Sequence, residues 1–259
     1  MKFHKMHGLG NDFVIFDARK APVALSEHEI VEISDRRRGV GCDTVVVIGA
    51  SDKADIQAKF FNADGSESGA CGNATRCIAD MVMSDLGRAA CMIEVNDGVL
   101  QCRQVEGLLI EVDMGAPRHV QDLDLSYGVV SHPVAVDMGN PHLVFFVDAV
   151  EDIDVALLGA YFERHEAFPN RTNVEFVQVI DNSNLRQRTW ERGCGFTEAC
   201  GSGACAVAVA AMRRGLISGN KVTIELDGGI LHLERRESDG HVLMSGPVAY
   251  VFDGTLNTL

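Results

Sequence analysis

Two apolar segments of helical length stand out along the chain. The first covers residues 73–86 and the second residues 202–214, and each is followed by a glycine, Gly87 or Gly215. Glycine is favoured just past the end of a helix, because it adopts left-handed backbone angles without strain. Both segments are apolar around most of their circumference, which is typical of a buried helix. We therefore predict one buried central helix in each half of the chain.

Shorter runs of β-branched and aromatic residues flank these helices and predict strands. The last three runs are separated by Asp227-Gly228-Gly229 and Ser238-Asp239-Gly240, which are hairpin signals. We interpret Arg36-Arg37-Arg38 as the end of a further helix, where cations interact favourably with the helix dipole. The predicted strands cover residues 13–17, 45–48, 56–61, 134–138, 143–147, 174–180, 185–190, 222–226, 230–234 and 242–245.

The two halves of the chain repeat one pattern at a constant offset of 129 residues, as from Gly10 to Gly139. A period of this length indicates a duplicated domain and not a solenoid repeat. We predict one domain from residues 1–115 and a second from 116–248, with the tail 249–259 packing back on the first. Segments 10–16, 43–45 and 70–73 match 139–145, 172–174 and 199–202 without a gap, and Asn62 matches Glu191.

Composition excludes several classes of protein. The 259 residues carry a formal net charge of −14, which argues against nucleic acid as a partner, since such binders neutralise phosphates with clustered cations. No apolar run reaches the roughly 20 residues that span a bilayer, and the start of the chain alternates instead of forming a signal-peptide core. We expect a cytoplasmic protein without a membrane partner.

The chain has eight cysteines, and two of them occupy equivalent positions of the repeat. No closely spaced ligand pair of the C-x-x-C type occurs, so we expect no metal. Cys71 and Cys200 each precede one of the predicted central helices, whereas Cys77 and Cys205 lie further along those helices and are expected in the core. The positive end of a helix stabilises a thiolate, which predicts reactive sulfur at Cys71 and Cys200.

The backbone amides that follow the two cysteines form candidate anion sites. Gly72, Asn73, Gly201 and Ser202 begin the helices, where N–H groups have no partner within the helix. Two-fold pseudosymmetry would bring both helix starts to one cavity at the domain interface, where an α-amino acid would fit. One thiolate would remove the α-proton and the other thiol would return a proton to the opposite face. Amides around the carboxylate would stabilise the carbanion, so no cofactor is needed.

The sequence resembles the diaminopimelate epimerase family over essentially its whole length. The resemblance implies two pseudosymmetric α+β domains, each a mostly antiparallel sheet wrapped around a central helix, and a homodimer that acts on diaminopimelate. It is carried by His7-Gly8-Leu9-Gly10-Asn11-Asp12-Phe13, Asn62-Ala63-Asp64-Gly65-Ser66-Glu67, Cys71-Gly72-Asn73, Gly139-Asn140-Pro141-His142, Asn173-Val174-Glu175-Phe176, Glu191-Arg192-Gly193 and Ala199-Cys200-Gly201-Ser202-Gly203-Ala204.

The resemblance also implies roles for individual residues. Cys71 and Cys200 match the catalytic pair, and His142 and Glu191 match residues that modulate the thiols. Substrate contacts are implied for Asn11, Thr44, Asn62, Gly72, Asn73, Asn140, Asn173, Glu191, Arg192, Gly201 and Ser202.

Three positions depart from the usual pattern of the family. Thr44 and Ala70 stand where glutamine is common, and Phe196 stands where glutamate is common. The shorter Thr44 would leave a polar gap at the distal end of the substrate unless water fills it. The sequence predicts an epimerase for LL- and meso-diaminopimelate, with a cofactor-independent racemase for another polar amino acid and a non-catalytic amino-acid binding protein as the alternatives.

Overall fold

The computed structural model describes residues 1–96 and 98–257, which divide into two compact units. The first unit holds the described residues of Met1–Val112 and Gly246–Leu259, and the second is Asp113–Ser245. The sequence-predicted boundary lies near residue 115. Residues 258–259 of the predicted tail lie outside the described residues.

The first unit is a mixed, mostly antiparallel sheet with two α-helices. Strands β2 and β3 pair in parallel, as do β4 and β6, and the remaining strand pairs are antiparallel. The elements up to the unit boundary are β1 (Lys2–Gly8), β2 (Asn11–Asp17), α1 (Glu27–Ser34), β3 (Thr44–Gly49), β4 (Ile56–Asn62), β5 (Glu67–Ser68), α2 (Gly72–Leu86), β6 (Ala90–Val95), β7 (Gly98–Gln104), a 3₁₀ turn (Glu106–Leu108) and β8 (Ile110–Asp113).

The second unit repeats this arrangement. Strands β13 and β14 pair in parallel, as do β15 and β17, and its other strand pairs are antiparallel. Its elements are β9 (His119–Asp122), β10 (Ser126–Tyr127), β11 (Val130–Ser131), β12 (Val134–Asp137), β13 (Pro141–Val147), a 3₁₀ turn (Val150–Asp152), α3 (Val155–Glu163), β14 (Asn173–Val179), β15 (Asn184–Glu191), β16 (Gly195–Thr197), α4 (Gly201–Arg213), β17 (Lys221–Leu226), β18 (Gly229–Arg235) and β19 (Val242–Gly246).

The last described strand, β20 (Ala249–Thr255), belongs to the first unit. It pairs antiparallel with β1, and the Met1 amino group donates to the Leu256 carbonyl at 2.6 Å. In the second unit β9 occupies the corresponding place, because it pairs antiparallel with β12. The strand order is therefore the same in both units. In the first unit the strand at this edge is β20, which follows the second unit in the sequence, whereas in the second unit it is β9, which precedes β12.

The register of the strands also repeats. Phe13 lies opposite Thr44 on β2 and β3, and His142 lies opposite Asn173 on β13 and β14, so both pairs are 31 residues apart. This agreement in strand order and register supports the duplication inferred from the sequence.

Both apolar segments form helices within one residue of the predicted bounds. Helix α2 buries Cys77, Ile78 and Val82 and packs against β1 and β6, and α4 buries nearly all of its length. The glycines that end them, Gly87 and Gly215, have positive φ angles of 63° and 64°. Their left-handed backbone is the reason that glycine ends each segment.

The interpretation of Arg36-Arg37-Arg38 as a helix end is wrong. Helix α1 ends at Ser34, and Asp35 accepts hydrogen bonds from the backbone N–H groups of Arg37 and Arg38 at 2.7 and 2.9 Å. Asp35 thus closes the chain into a turn, which a short acidic side chain favours over continued helix. Arg36 instead pairs with carboxylates of the first unit.

No helix in residues 1–96 and 98–257 is long and apolar enough to cross a membrane. The same residues contain no group of three or more His, Cys, Asp or Glu side chains that could hold a metal ion.

Candidate active site

Each candidate catalytic cysteine is the N-cap residue of a helix. Cys71 precedes α2 with φ −135° and ψ 111°, and Cys200 precedes α4 with φ −121° and ψ 111°. The Cys71 carbonyl accepts the first helical hydrogen bond, from the Thr75 N–H at 2.8 Å, and the Cys200 carbonyl accepts from the Ala204 N–H at 3.0 Å. The amides in between point out of the helix start, where they can bind an anion.

In the first unit three candidate residues converge on the start of α2. The Cys71 thiol donates to Asn11 Oδ1 at 3.7 Å, and Asn73 Nδ2 donates to the same oxygen at 3.3 Å. Asn73 is buried, whereas Cys71 is partly exposed. The amide oxygen of Asn11 is therefore the common acceptor beside the sulfur.

A carboxylate that the sequence analysis missed orients this amide. Asn11 Nδ2 donates to Asp43 Oδ2 at 2.9 Å, and the Asp12 backbone N–H donates to the same oxygen at 3.1 Å. Because an ionised carboxylate only accepts, the Asn11 NH₂ group must face Asp43 and its oxygen must face Cys71. Arg36 holds Asp43 in turn, donating to its Oδ1 at 2.7 Å.

Thr44 and Asn62 lie opposite one another on β3 and β4. Thr44 is buried, and Asn62 is half-buried and donates from Nδ2 to Ser66 Oγ at 2.9 Å. Of the two other departures from the family pattern, Ala70 is exposed and Phe196 lies 5.2 Å under the Arg188 guanidinium. The structure thus places Thr44 beside a candidate substrate contact.

In the second unit a buried histidine is held from both sides. His142 Nδ1 lies 2.7 Å from Glu175 Oε1, and its Nε2 lies 3.0 Å from Asn140 Oδ1. Asn140 Nδ2 donates to Ser202 Oγ at 3.2 Å, and that hydroxyl lies 3.6 Å from the Cys200 sulfur. A continuous polar chain therefore leads from Glu175 to the thiol. The sequence analysis did not propose a role for Glu175.

Glu191 interacts electrostatically with the Cys200 thiol. Its carboxylate accepts a hydrogen bond from Thr197 Oγ1 at 2.6 Å. Burial raises the pKa of Glu191, and the nearby charge of Glu175 adds to this effect.

The surroundings of Cys200 favour the thiol over the thiolate. Burial, followed by the negative charges of Glu191 and Glu175, raises the pKa of Cys200 well above its ordinary value. The backbone N–H of Gly203 and the Ser202 hydroxyl act in the opposite direction, because they stabilise a thiolate. The groups that raise the pKa of Cys200 outweigh those that lower it.

Arg192 lies at the start of the turn between β15 and β16. Its backbone N–H donates to Asn173 Oδ1 at 2.9 Å, and its Nη1 donates to the Asn170 carbonyl at 3.2 Å. Asn173 Nδ2 in turn donates to the Pro141 carbonyl at 2.9 Å. The turn is thus tied to the first residue of β14, and the Arg192 side chain is exposed.

His142, Glu175 and Glu191 have no ionisable counterpart in the first unit. At the positions 129 residues earlier, Phe13 stands for His142, Val46 for Glu175 and Asn62 for Glu191. The duplication has therefore preserved a cysteine at the start of each helix, whereas the positions of His142, Glu175 and Glu191 hold different types of residue in the two units.

Solved structures with this fold include two-domain proteins of low sequence identity. A phenazine biosynthesis protein of the PhzF family from Bacillus anthracis has a TM-score of 0.76 at 16% identity, over 100% of this chain and 99% of its own. A hydroxyproline epimerase from Agrobacterium vitis has a TM-score of 0.73 at 13% identity, over 98% of this chain and 91% of its own. At such identities the likeness defines the fold class alone, a two-domain α+β fold.

Sequence comparison is more specific. The family model for diaminopimelate epimerase matches residues 3–120 and 134–251. The diaminopimelate epimerase of Rhodospirillum centenum is 47% identical over 99% of this chain and 92% of its own length. That of Acidiphilium cryptum is 46% identical over 98% of this chain and 96% of its own. The chain belongs to the diaminopimelate epimerase family.

Proposed function

We propose that this protein interconverts LL- and meso-diaminopimelate, a step of lysine biosynthesis, without a cofactor and with Cys71 and Cys200 as its two acid/base groups. The observation that supports this most directly is the presence of a cysteine at the N-cap of a helix in both units. A family match that covers both halves of the chain supports the substrate.

Inversion at an α-carbon needs a base on one face and an acid on the other. In the proposed reaction one thiolate takes the α-proton, and the C–H electron pair is delocalised into the carboxylate. The other thiol then gives its proton to the opposite face of the same carbon. One proton is removed and one is added, so the reaction needs no oxidant. After the product leaves, the sulfur that began as a thiolate is protonated and the other sulfur is the thiolate.

The carbanion requires stabilisation, because no cofactor accepts its charge. We assign this role to the amides of Gly72 and Asn73 in one unit and of Gly201 and Ser202 in the other. Each pair lies in the first turn of a helix, where N–H groups and the helix dipole favour negative charge.

His142 and Glu191 are proposed to tune the Cys200 thiol. The charge of Glu191 acts on the thiol, and His142 is connected to the sulfur through Asn140 and Ser202. The charges beside Cys200 favour its protonated form, so in the resting enzyme Cys200 is proposed to be the acid.

Asn11, Thr44, Asn62, Asn140, Asn173 and Arg192 are proposed to contact the substrate. Arg192 offers a planar fork of donors that suits the distal carboxylate of diaminopimelate, and a monoamino acid lacks that group. This explains a preference for a substrate with two amino-acid ends.

The direct test is a coupled assay with LL-diaminopimelate and a panel of L-amino acids, together with deuterium incorporation at the α-carbon. We expect turnover and exchange with diaminopimelate. Turnover of another polar amino acid alone would identify a different racemase, and binding without exchange would identify a binding protein.

The two-base assignment is tested with Cys71→Ala and Cys200→Ala, and with the corresponding serine variants. Each alanine variant should lose epimerisation while remaining folded, because one face of the α-carbon then has no acid or base. The serine variants should be nearly inactive, since a hydroxyl is far less acidic than a thiol. A Cys71→Ala enzyme with near wild-type epimerisation would exclude the mechanism.

A cytoplasmic location and a homodimer are also proposed, on the basis of the family resemblance and the sequence. Size-exclusion chromatography with light scattering measures the oligomeric state directly.

A further inference from the structure

Glu163, the last residue of α3, is a buried carboxylate that the proposed mechanism does not use. It is 3% exposed. Its Oε2 accepts from the indole N–H of Trp190 at 2.8 Å, and its Oε1 accepts from the Gly193 backbone N–H at 3.1 Å and from Arg171 Nη1 at 3.4 Å. Burial by itself would raise the pKa of Glu163, but the bonds from Trp190 and Gly193 outweigh it and hold that pKa below its ordinary value.

The hydrogen-bond partners of Glu163 flank the proposed substrate contacts. Trp190 immediately precedes Glu191, and Gly193 immediately follows Arg192. Glu163 therefore makes one hydrogen bond on each side of the Glu191-Arg192 pair, to Trp190 near the end of β15 and to Gly193 within the β15–β16 turn (residues 192–194). Arg171, two residues before Asn173, connects the same carboxylate to the segment that leads into β14.

The packing of α3 brings the carboxylate to this turn. Gly159 lies one helical turn before Glu163, and a Cβ added there would lie 2.4 Å from Cβ and Cγ of Trp190. The helix backbone thus rests directly on the tryptophan, which is possible only because residue 159 is glycine. Glu163 has little freedom to leave its partners without moving the helix.

The first unit has no counterpart to this arrangement. The residue 129 positions before Glu163 is Ser34, which ends α1, and Phe61 and Asp64 correspond to Trp190 and Gly193. The turn after Asn62 is closed locally instead, because Asp64 accepts from the Ser66 N–H at 3.0 Å. The buried carboxylate of Glu163 therefore occurs in the unit in which the charged residues Glu191 and Arg192 adjoin the turn.

We propose that Glu163 is a positioning residue that fixes the β15–β16 turn, so that Arg192 is held ready for the distal end of the substrate. The proposal rests on the function proposed above. It assigns Glu163 to substrate recognition and not to proton transfer, since its carboxylate accepts hydrogen bonds from Trp190, Gly193 and Arg171.

Glu163→Gln tests the proposal, with Glu166→Gln as the matched control. Glu166 is an exposed carboxylate three residues further along, so its replacement removes the same charge without touching the turn. In Glu163→Gln an NH₂ group replaces one of the two carboxylate oxygens, so either the Trp190 indole N–H or the Gly193 backbone N–H loses its acceptor. We expect KM for diaminopimelate to rise about tenfold, as for the loss of a charge-assisted hydrogen bond, with kcat within about twofold of wild type.

The sole tryptophan provides a readout independent of activity. The chain has one Trp, and its indole N–H bonds to Glu163. The emission of Trp190 should therefore shift in Glu163→Gln and remain unchanged in Glu166→Gln. If the emission shifts and KM does not change, the contact exists but does not position the substrate, and the proposal is wrong. An unchanged emission, or a loss confined to kcat, also overturns it.

Trp190→Phe covers the case in which Glu163→Gln does not fold. It removes a single donor to Glu163 and keeps an apolar ring, so KM should again rise while kcat is retained. A wild-type KM in Trp190→Phe would then contradict the proposal. These results are separable from the proposed function, because failure of the wild-type enzyme to epimerise diaminopimelate would refute the function while the Trp190 emission still tests the contact.

Discussion

The Glu191 carboxylate is close enough to Cys200 to change the acidity of that thiol. Burial raises the pKa of Cys200 first, and the charges of Glu191 and Glu175 raise it further. Glu191→Gln removes one of these charges but retains an oxygen that can accept from the thiol. The pKa of Cys200 should therefore fall, and a larger fraction should be thiolate at any given pH.

This shift can be measured without an activity assay. Iodoacetamide alkylates the thiolate, and peptide mass mapping reports its rate at Cys200 alone. We expect the pH profile of alkylation in Glu191→Gln to move to lower pH. Glu198→Gln is the control, because Glu198 is an exposed acid two residues before Cys200. A profile that stays in place or moves to higher pH would contradict the assignment of Glu191.

Arg192 is predicted to act through the geometry of its guanidinium as well as its charge. Arg192→Lys keeps the charge but loses the two-pronged contact with a carboxylate. We expect kcat/KM for diaminopimelate to fall by one to two decades, roughly the 1.5 to 3 kcal/mol of a charged hydrogen bond. Steady-state kinetics on diaminopimelate and on lysine measure this. Equal turnover of lysine and diaminopimelate by wild type, or a variant equal to wild type, would refute distal recognition by Arg192.

Among the secondary-structure elements, α3 depends on its close approach to β15. Gly159→Ala would place a methyl group 2.4 Å from two Trp190 atoms, so helix and strand must separate. We expect a loss of about 1–3 kcal/mol in the free energy of unfolding, as for overpacked cores. Urea denaturation followed by Trp190 emission measures it, with Gly49→Ala as the control, since a Cβ at Gly49 meets no atom within 4 Å. Equal stability of Gly159→Ala and wild type would show that the contact is not tight.

Strands β1, β2 and β3 meet at an ion cluster that should make stability depend on pH. Burial raises the pKa of Asp12, but hydrogen bonds from Arg36 and Lys5 outweigh it and lower that pKa from 3.8 to about 2. A lowered folded-state pKa contributes stability that is present above the unfolded value and lost as pH falls through about 2. The affected window is therefore about pH 4 to 2.

Asp12→Asn should remove this contribution, about 2 kcal/mol at neutral pH. The free energy of unfolding of wild type should fall between pH 4 and 2 by more than that of the variant. Urea denaturation across this range measures the difference. Asp52→Asn, at an exposed carboxylate, serves as the control. Parallel curves for wild type and Asp12→Asn would show that the cluster does not stabilise the fold.

The elements of the repeated core could be predicted from the sequence, whereas the end of α1 was predicted wrongly and α3 was not predicted. Helices α2 and α4 are long and apolar, so their periodicity is clear. Helix α1 has eight residues and buries only Ile30, Ile33 and Ser34, although Ser26 and Glu29 form a capping box that could have indicated its start. Helix α3 is so apolar that its pattern does not distinguish helix from strand.

The candidate site shows the same division between local and distant information. The positions of Cys71 and Cys200 at helix starts could be predicted because each directly precedes an apolar helix. Three carboxylates were missed, because each is hydrogen-bonded to a residue that is distant in sequence. They are Asp43, Glu163 and Glu175, which bond to Asn11, Trp190 and His142, respectively. Only the fold shows that Glu163 and Glu175 are buried and that the exposed Asp43 bonds to Asn11.

Over the whole molecule, the first unit depends on a strand from beyond the second. Strand β20 covers β1, and Phe3 packs against Phe252 with ring centroids 6.1 Å apart. A chain that ends at residue 248 should expose the edge of β1 and loosen the first unit, while the second unit keeps all of its strands. Hydrogen exchange measured by peptide should show lost protection in β1 and β2 and unchanged protection in β13 and β14. Unchanged exchange in β1 would refute this dependence.

This dependence has a consequence for synthesis on the ribosome. Residues 1–112 emerge first, but their sheet is incomplete until Ala249–Thr255 has been translated. The second unit has all of its strands within Asp113–Gly246 and can fold as soon as it leaves the exit tunnel. Until β20 has been made, the open edge of β1 is available to other nascent chains. The first unit therefore has the greater need of a chaperone. The half of the protein that is made second is therefore able to fold first.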